Sequence, residues 1–155
     1  MNEGPTFLTR EGYRKLEQEL NHLRTVRRQE VARRLHQALK EGDILENAEL
    51  EDARNEQAFV EGRILTLGSM LGDVVMIEEE GPREAVGLGS RVTIVEGDGP
   101  PETYHIVGSV EADPANGLIS NESPLGRALM GRKVGGEVVV NAPDGVLAFR
   151  IVEIQ

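Results

Sequence analysis

The chain is expected to be an α+β protein, with an N-terminal antiparallel coiled-coil hairpin followed by a small, mostly antiparallel sheet that carries one short helix. Three observations carry this expectation. From about Thr9 to Val75 the apolar residues recur at alternating steps of three and four. After Val75 the pattern changes to short β-branched runs separated by Gly, Pro and Asp. No Pro lies between Thr6 and Gly81, so neither helical arm is broken.

Thr9 precedes Arg10-Glu11-Gly12-Tyr13 and is the expected N-cap of the first helix. The first arm then presents Tyr13, Leu16, Leu20 and Leu23. The second presents Ala53, Gln57, Val60, Ile64, Leu67, Leu71 and Val74. Antiparallel pairing sets Leu16 against Leu71 and Leu20 against Leu67, which places the turn at residues 43–44. An arm of about thirty residues is about 45 Å long, so the turn is expected at the far end of a rod. Beyond Leu23 arginines crowd the first stripe, and only Val31, Leu35 and Ala38 continue a reduced seam. The distal hairpin is therefore expected to be held less by burial than its base.

Strands are expected at residues 74–77, 91–95, 103–107, 137–140 and 147–152, with Pro143-Asp144-Gly145 as a hairpin turn. A short helix is expected over Pro124–Met130, with Ser123 as N-cap and Pro124 at its first position. The boundary falls in Glu78–Arg83, giving a hairpin domain of residues 1–78 and a sheet domain of residues 79–155.

Composition narrows the function. The 155 residues are 39% hydrophobic but only 3% aromatic, with no Trp, so the core is expected to be aliphatic. A formal net charge of −10 argues against non-specific binding to nucleic acid. The absence of Cys excludes disulfides and thiolate metal sites and suits a reducing cytoplasm, the expected location. No secretory signal is visible, and no apolar run approaches the roughly 20 residues that span a bilayer. His22, His36 and His105 are scattered and read as surface or core residues rather than ligands.

Charge is divided along the hairpin. Arg24, Arg27, Arg28, Arg33, Arg34 and Lys40 stand against one acid, Glu30, in the approach to the turn. From Glu41 to Glu56 seven acids stand against one base, Arg54. One reading is local: Asp43 caps the second helix, and Glu46 and Glu49 favour its positive N-terminal end. The other is chemical. Mg²⁺ prefers carboxylate oxygens and often takes only one or two from a protein. Asp43 and Glu46, three apart at a helix start, can face one ion but cannot complete its shell. A partner already holding metal and phosphates would supply the rest, as in two-metal phosphoryl chemistry. A basic band behind such a tip would suit RNA or DNA near that partner's active site.

Several segments in order, taken together, resemble the bacterial Gre transcript-cleavage factors, closest to the GreA type. They are Leu8-Thr9-Arg10-Glu11-Gly12-Tyr13-Arg14-Lys15-Leu16-Glu17-Gln18-Glu19-Leu20, Gly42-Asp43-Ile44-Leu45-Glu46-Asn47-Ala48-Glu49, Ala53-Arg54-Asn55-Glu56-Gln57, Glu61-Gly62-Arg63-Ile64 and 118–132 (Leu-Ile-Ser-Asn-Glu-Ser-Pro-Leu-Gly-Arg-Ala-Leu-Met-Gly-Arg). The resemblance implies a C-terminal domain like that of FK506-binding proteins. It implies binding to bacterial RNA polymerase, insertion of the hairpin into the secondary channel, and stimulated cleavage of backtracked RNA by the polymerase itself, not by an enzyme site in this chain. Asp43 and Glu46 match the tip carboxylates that share catalytic Mg²⁺ with the polymerase, and no tightly bound cofactor is expected. Arg54 matches a residue facing the nascent RNA 3′ end. Asn121, Ser123, Pro124 and Leu125 match the loop that docks on the polymerase. No direct DNA binding and no membrane are expected. Ile44, Leu45, Leu50 and Leu39 depart from the usual family pattern and make this tip more apolar.

Three alternatives are weighed. A Gre-homologue inhibitor would occupy the same channel and block nucleotide addition, but such inhibitors carry a tip crowded with aspartates. A prolyl isomerase would need an aromatic-lined pocket, and only Tyr104 and Phe149 are aromatic after residue 78. A plain interaction module would make the tip charges dispensable.

Overall fold

The computed structural model describes residues 4–40, 48–79 and 83–155. Its contacts divide the chain into a helical unit, Tyr13–Asp73, and a sheet unit formed by Met1–Gly12 with Val74–Gln155.

In the helical unit, α1 (Arg10–His22) runs through a single π-helical turn at Leu23–Arg27 into α2 (Arg28–Lys40). The returning arm is α3 (Ala48–Gly72). The arms are antiparallel: Glu19 pairs with Arg63, Arg28 with Glu61 and Arg34 with Glu49, so partner numbers fall on one arm as they rise on the other. Leu20, Leu23, Val31, Val60, Ile64 and Leu67 form the apolar seam, with Leu16, Met70 and Leu71 packed against it. The four leucines of the expected pairs therefore share one cluster.

The π turn has a sequence cause. Buried or half-buried positions in the first arm run Leu20, Leu23, Arg27, Val31, Leu35 and Ala38. Three consecutive steps of four drift about 120° off a continuous α-helical face. One wider turn absorbs most of that drift. Within it the Arg28 N–H donates to the Leu23 carbonyl, five residues back. The Thr25 hydroxyl donates to the Asn21 carbonyl at 2.7 Å.

One expectation along the seam needs correction. Gln57 is exposed, and Glu56 is the half-buried residue between Ala53 and Val60. Arginines from the other arm neutralise Glu56, so it tolerates the seam better than the heptad pattern alone allows. The reduced distal seam is the one expected, with Val31 and Ala38 buried on the first arm and Ala53 on the second, joined by Leu50, and ion pairs bridge the arms there.

In the sheet unit, β1 (Thr6–Leu8) pairs in parallel with β2 (Val74–Met76), placing Phe7 beside Val75. The Ile77 N–H donates to the Leu8 carbonyl, and Leu8 is fully buried. These links group the first residues with the sheet, whereas the chain boundary at 78/79 groups them with the hairpin. The main sheet has strand order β5-β4-β3-β7-β6, from β3 (Arg91–Glu96), β4 (Glu102–Val107), β5 (Leu118–Ser120), β6 (Glu137–Ala142) and β7 (Gly145–Ile154). Only the β4–β5 pair is parallel; the other neighbours are antiparallel. Pro143 and Asp144 form the two-residue loop between β6 and β7. The helix α4 (Pro124–Leu129) buries Leu129 in the aliphatic core with Val92, Ile94, Ile106, Ile119, Val138 and Ile151. Strands β1 and β5, three residues each, were not expected.

Candidate functional site

Asp43 and Glu46 fall in residues 41–47, outside the described residues, as do Ile44 and Leu45. The residues that hold this segment are described. On its α3 side Leu50 is 2% exposed, so this departure from the family pattern is a seam residue. Glu49 is exposed, and its Oε2 lies 3.3 Å from Arg34 Nη2. Arg34 Nη1 also donates to Glu56 Oε2 at 2.5 Å. The other Glu56 oxygen accepts from Arg27, and Arg27 Nη1 also donates to Glu30 at 2.7 Å. Arg54 is exposed on α3.

The basic band is thus partly neutralised within the hairpin. Arg27 and Arg34 are held by glutamates, and Arg28 grips Glu61 through Nε and Nη2 at 2.9 and 2.8 Å. This hydrogen bonding lowers the Glu61 carboxyl from its usual range, and the Arg63 hydrogen bonds lower Glu19 in the same way. Arg24, Arg33 and Lys40 are exposed. Among the described residues no three His, Asp or Glu side chains gather in a metal-holding group.

In the sheet unit the 121–125 loop is built by local chemistry. Ser123 is extended, donates its hydroxyl to the Ser120 carbonyl at 2.7 Å and accepts from the Gly126 N–H at 3.1 Å. Pro124 then occupies the first helical position, where a missing N–H costs nothing. A Cβ at Gly126 would lie 1.9 Å from the Ser120 carbonyl oxygen, so only glycine fits there. Leu125 packs against the aliphatic core. Pro124 is exposed, and Asn121 is half-buried with its N–H donating to Val107 O. Of the four expected contact residues, Pro124 is exposed, and Asn121, Ser123 and Leu125 are each half-buried, Ser123 and Leu125 also holding the loop.

One link escaped the sequence reading. Glu111 Oε2 accepts from the Thr9 N–H at 2.7 Å, and the Thr9 hydroxyl donates to Oε1 at 2.5 Å. The Thr9 hydroxyl also accepts from the Gly12 N–H at 3.0 Å, completing the expected N-cap. A Cβ at Gly12 would collide with the Glu111 carboxylate. Glu111 lies 102 residues from Thr9, so no local pattern marks it.

Tyr104 and Phe149 pack against the core, and the Tyr104 hydroxyl donates to Glu102 at 2.9 Å. Burial, then the Glu102 carboxylate, push the Tyr104 phenol up. His105 belongs to the interior of the sheet unit. Burial first, and then Arg91, hold its imidazole below the usual 6.5, against opposing pulls from Glu79, Glu111 and the Gly89 backbone. Its Nε2 lies 3.2 Å from Glu79 Oε1 without hydrogen-bond alignment.

Comparison with known proteins assigns this helical hairpin and mixed sheet to a class of transcription elongation factor. Residues 6–75 match the family model "Transcription elongation factor, N-terminal". Residues 81–155 match "Transcription elongation factor, GreA/GreB, C-term". Transcription elongation factor GreA of Acetivibrio thermocellus is 52% identical over 96% of this chain and 94% of its own length. The Bacillus subtilis GreA is 51% identical over 96% of this chain and 95% of its own. Among solved structures, GreA factor homolog 1 of Thermus thermophilus is 33% identical, covers 97% of this chain and 99% of its own, and has a TM-score of 0.45. The chain belongs to the GreA/GreB family of transcription elongation factors and is of the GreA type.

Proposed function

We propose that this chain binds bacterial RNA polymerase, inserts its hairpin into the secondary channel and stimulates cleavage of backtracked nascent RNA by the polymerase's own active site. The observation that carries this reading is family membership along nearly the whole chain, joined to the acidic segment Gly42–Glu49 between two antiparallel helices. Asp43 and Glu46 are a hard-oxygen donor pair of the kind Mg²⁺ takes from a protein that completes only part of its shell. The second ion of two-metal phosphoryl chemistry, when bound there, stabilises the attacking or leaving oxygen. The role of this chain is to carry the two carboxylates to the RNA and to orient the attacking water. Arg54 faces the RNA 3′ end, and the loop of Asn121, Ser123, Pro124 and Leu125 docks on the polymerase. The protein works in the cytoplasm, is not an enzyme by itself, and does not bind DNA directly.

A purified elongation complex stalled by backtracking tests this reading. The wild-type chain shortens the RNA in the presence of Mg²⁺. Asp43→Ala and Glu46→Ala abolish that stimulation while the concentration giving half-maximal polymerase binding stays unchanged. Asn121→Ala and Pro124→Ala raise that concentration and leave the maximal cleavage rate intact. No RNA shortening, with slowed nucleotide addition instead, would establish the inhibitor reading and overturn this one.

A further inference from the structure

The heptad seam of the hairpin carries a polar pair where an apolar one is the rule. Arg27 and Glu56 occupy half-buried seam positions, with side chains 34% and 25% exposed. Seven residues further along each arm stand Arg34 and Glu49, which also pair, and Arg34 crosses back to Glu56. The result is a ladder, Arg27–Glu56–Arg34–Glu49, that ends at the second residue of α3. It flanks the buried side chains Val31, Ala38, Leu50 and Ala53. Two of these are alanines, whose small, smooth surface specifies the sliding of one helix past another only weakly. Exposed ion pairs add little to stability, whereas a polar pair at a seam position discriminates between registers. The π turn belongs to the same device, because it brings Arg27 and Val31 onto the seam together.

The geometry points to this ladder as a positioning device for the tip: Arg34, Glu49 and Glu56 fix the register of α2 against α3 and so set where Asp43 and Glu46 are presented. Glu49, whose Oε2 lies against Arg34, is a positioning residue and not a third metal ligand. The inference rests on the tip carboxylates assisting cleavage. A misplacement of about 1 Å at a reacting centre costs up to about a hundredfold in rate, so a small slip in register is enough to be measured.

The test uses the full-length chain on a backtracked elongation complex with saturating factor and Mg²⁺. Arg34→Gln lowers the maximal cleavage rate about tenfold and Glu49→Gln by no more than that, and the double variant is no slower than Arg34→Gln alone, because Arg34→Gln already removes the Glu49 pair together with the bond to Glu56. The half-saturating concentration and the helical circular dichroism of each variant match wild type. The chain contains no Cys, so Arg34→Cys with Glu49→Cys can be bridged by a short bis-maleimide. Bridging restores the rate although position 49 then has no carboxylate. A wild-type rate in Arg34→Gln, additive losses in the double variant, loss of helicity, or failure of the bridge to restore cleavage would each overturn the proposal. Asp43→Ala is the control: if it too cleaves normally, the metal reading has failed, and if it alone is dead, only the ladder has.

Discussion

His105 is a case where one side chain ties stability to pH. Its imidazole is held below 6.5 because burial disfavours the charged form and Arg91 adds repulsion, more than Glu79, Glu111 and the Gly89 carbonyl offset. The unfolded chain therefore takes up a proton before the folded one does. Stability from the neutral imidazole is present above pH 6.5 and is lost as pH falls through the lowered folded value. Acid titration followed by imidazole NMR is expected to show this displaced midpoint, and His105→Gln is expected to flatten the stability of the sheet unit between neutral and mildly acidic pH. At the docking loop the backbone leaves less freedom. Gly126→Ala drives a methyl into the Ser120 carbonyl and is expected to cost about 2 kcal/mol in urea unfolding. Ser123→Ala loses the cap and is expected to cost about 1 kcal/mol. Pro124→Ala removes no packed core atom, so a binding defect in that variant reports the surface.

Among the elements, the first arm teaches most. A continuous α-helix cannot keep Leu23, Arg27, Val31 and Leu35 on one face, and the π turn at Leu23–Arg27 is the local solution. Deleting Thr25, an exposed residue inside that turn, converts it to ordinary α-helix and leaves a seven-residue spacing between Leu23 and Val31. The thermal midpoint of the hairpin is then expected to stay close to wild type. Deleting Gln18, exposed but within continuous α-helix, turns Leu16 away from the seam and is expected to cost about 2 kcal/mol or more. The stripe and its weakening beyond Leu23 were visible in the residue spacing. The exchange of Gln57 for Glu56 in the seam was not, because Glu56 is half-buried only with Arg27 and Arg34 against its carboxylate.

Across the whole molecule, the chain begins in one unit, leaves it for the hairpin and returns. Leu8 precedes the first helix yet is buried in the sheet unit, where β1 pairs with β2. Leu8→Ala is expected to cost that unit about 3 kcal/mol, read as faster amide exchange in β3 and β7, while the hairpin between Tyr13 and Asp73 keeps its own protection. Glu111 acts over a longer separation, capping a helix whose N-cap lies 102 residues earlier in the chain. Neither role has a local signature. The Ser123-Pro124 helix start, the Pro143-Asp144 turn and the Thr9 cap all do, since each depends on bonds among close neighbours.

By itself, then, the sequence determined the hairpin, the β-rich second half and the GreA-type resemblance. These follow from periodicities and short-range chemistry that operate along the chain. The tertiary structure alone decided that residues 6–8 pair with 74–76 within the sheet unit, that Glu111 caps α1, and that Arg27, Arg34, Glu49 and Glu56 form one ladder. Those outcomes depend on which distant charges and strand edges meet. A half-buried carboxylate or an unpaired strand edge finds its partner only once the chain has folded back on itself.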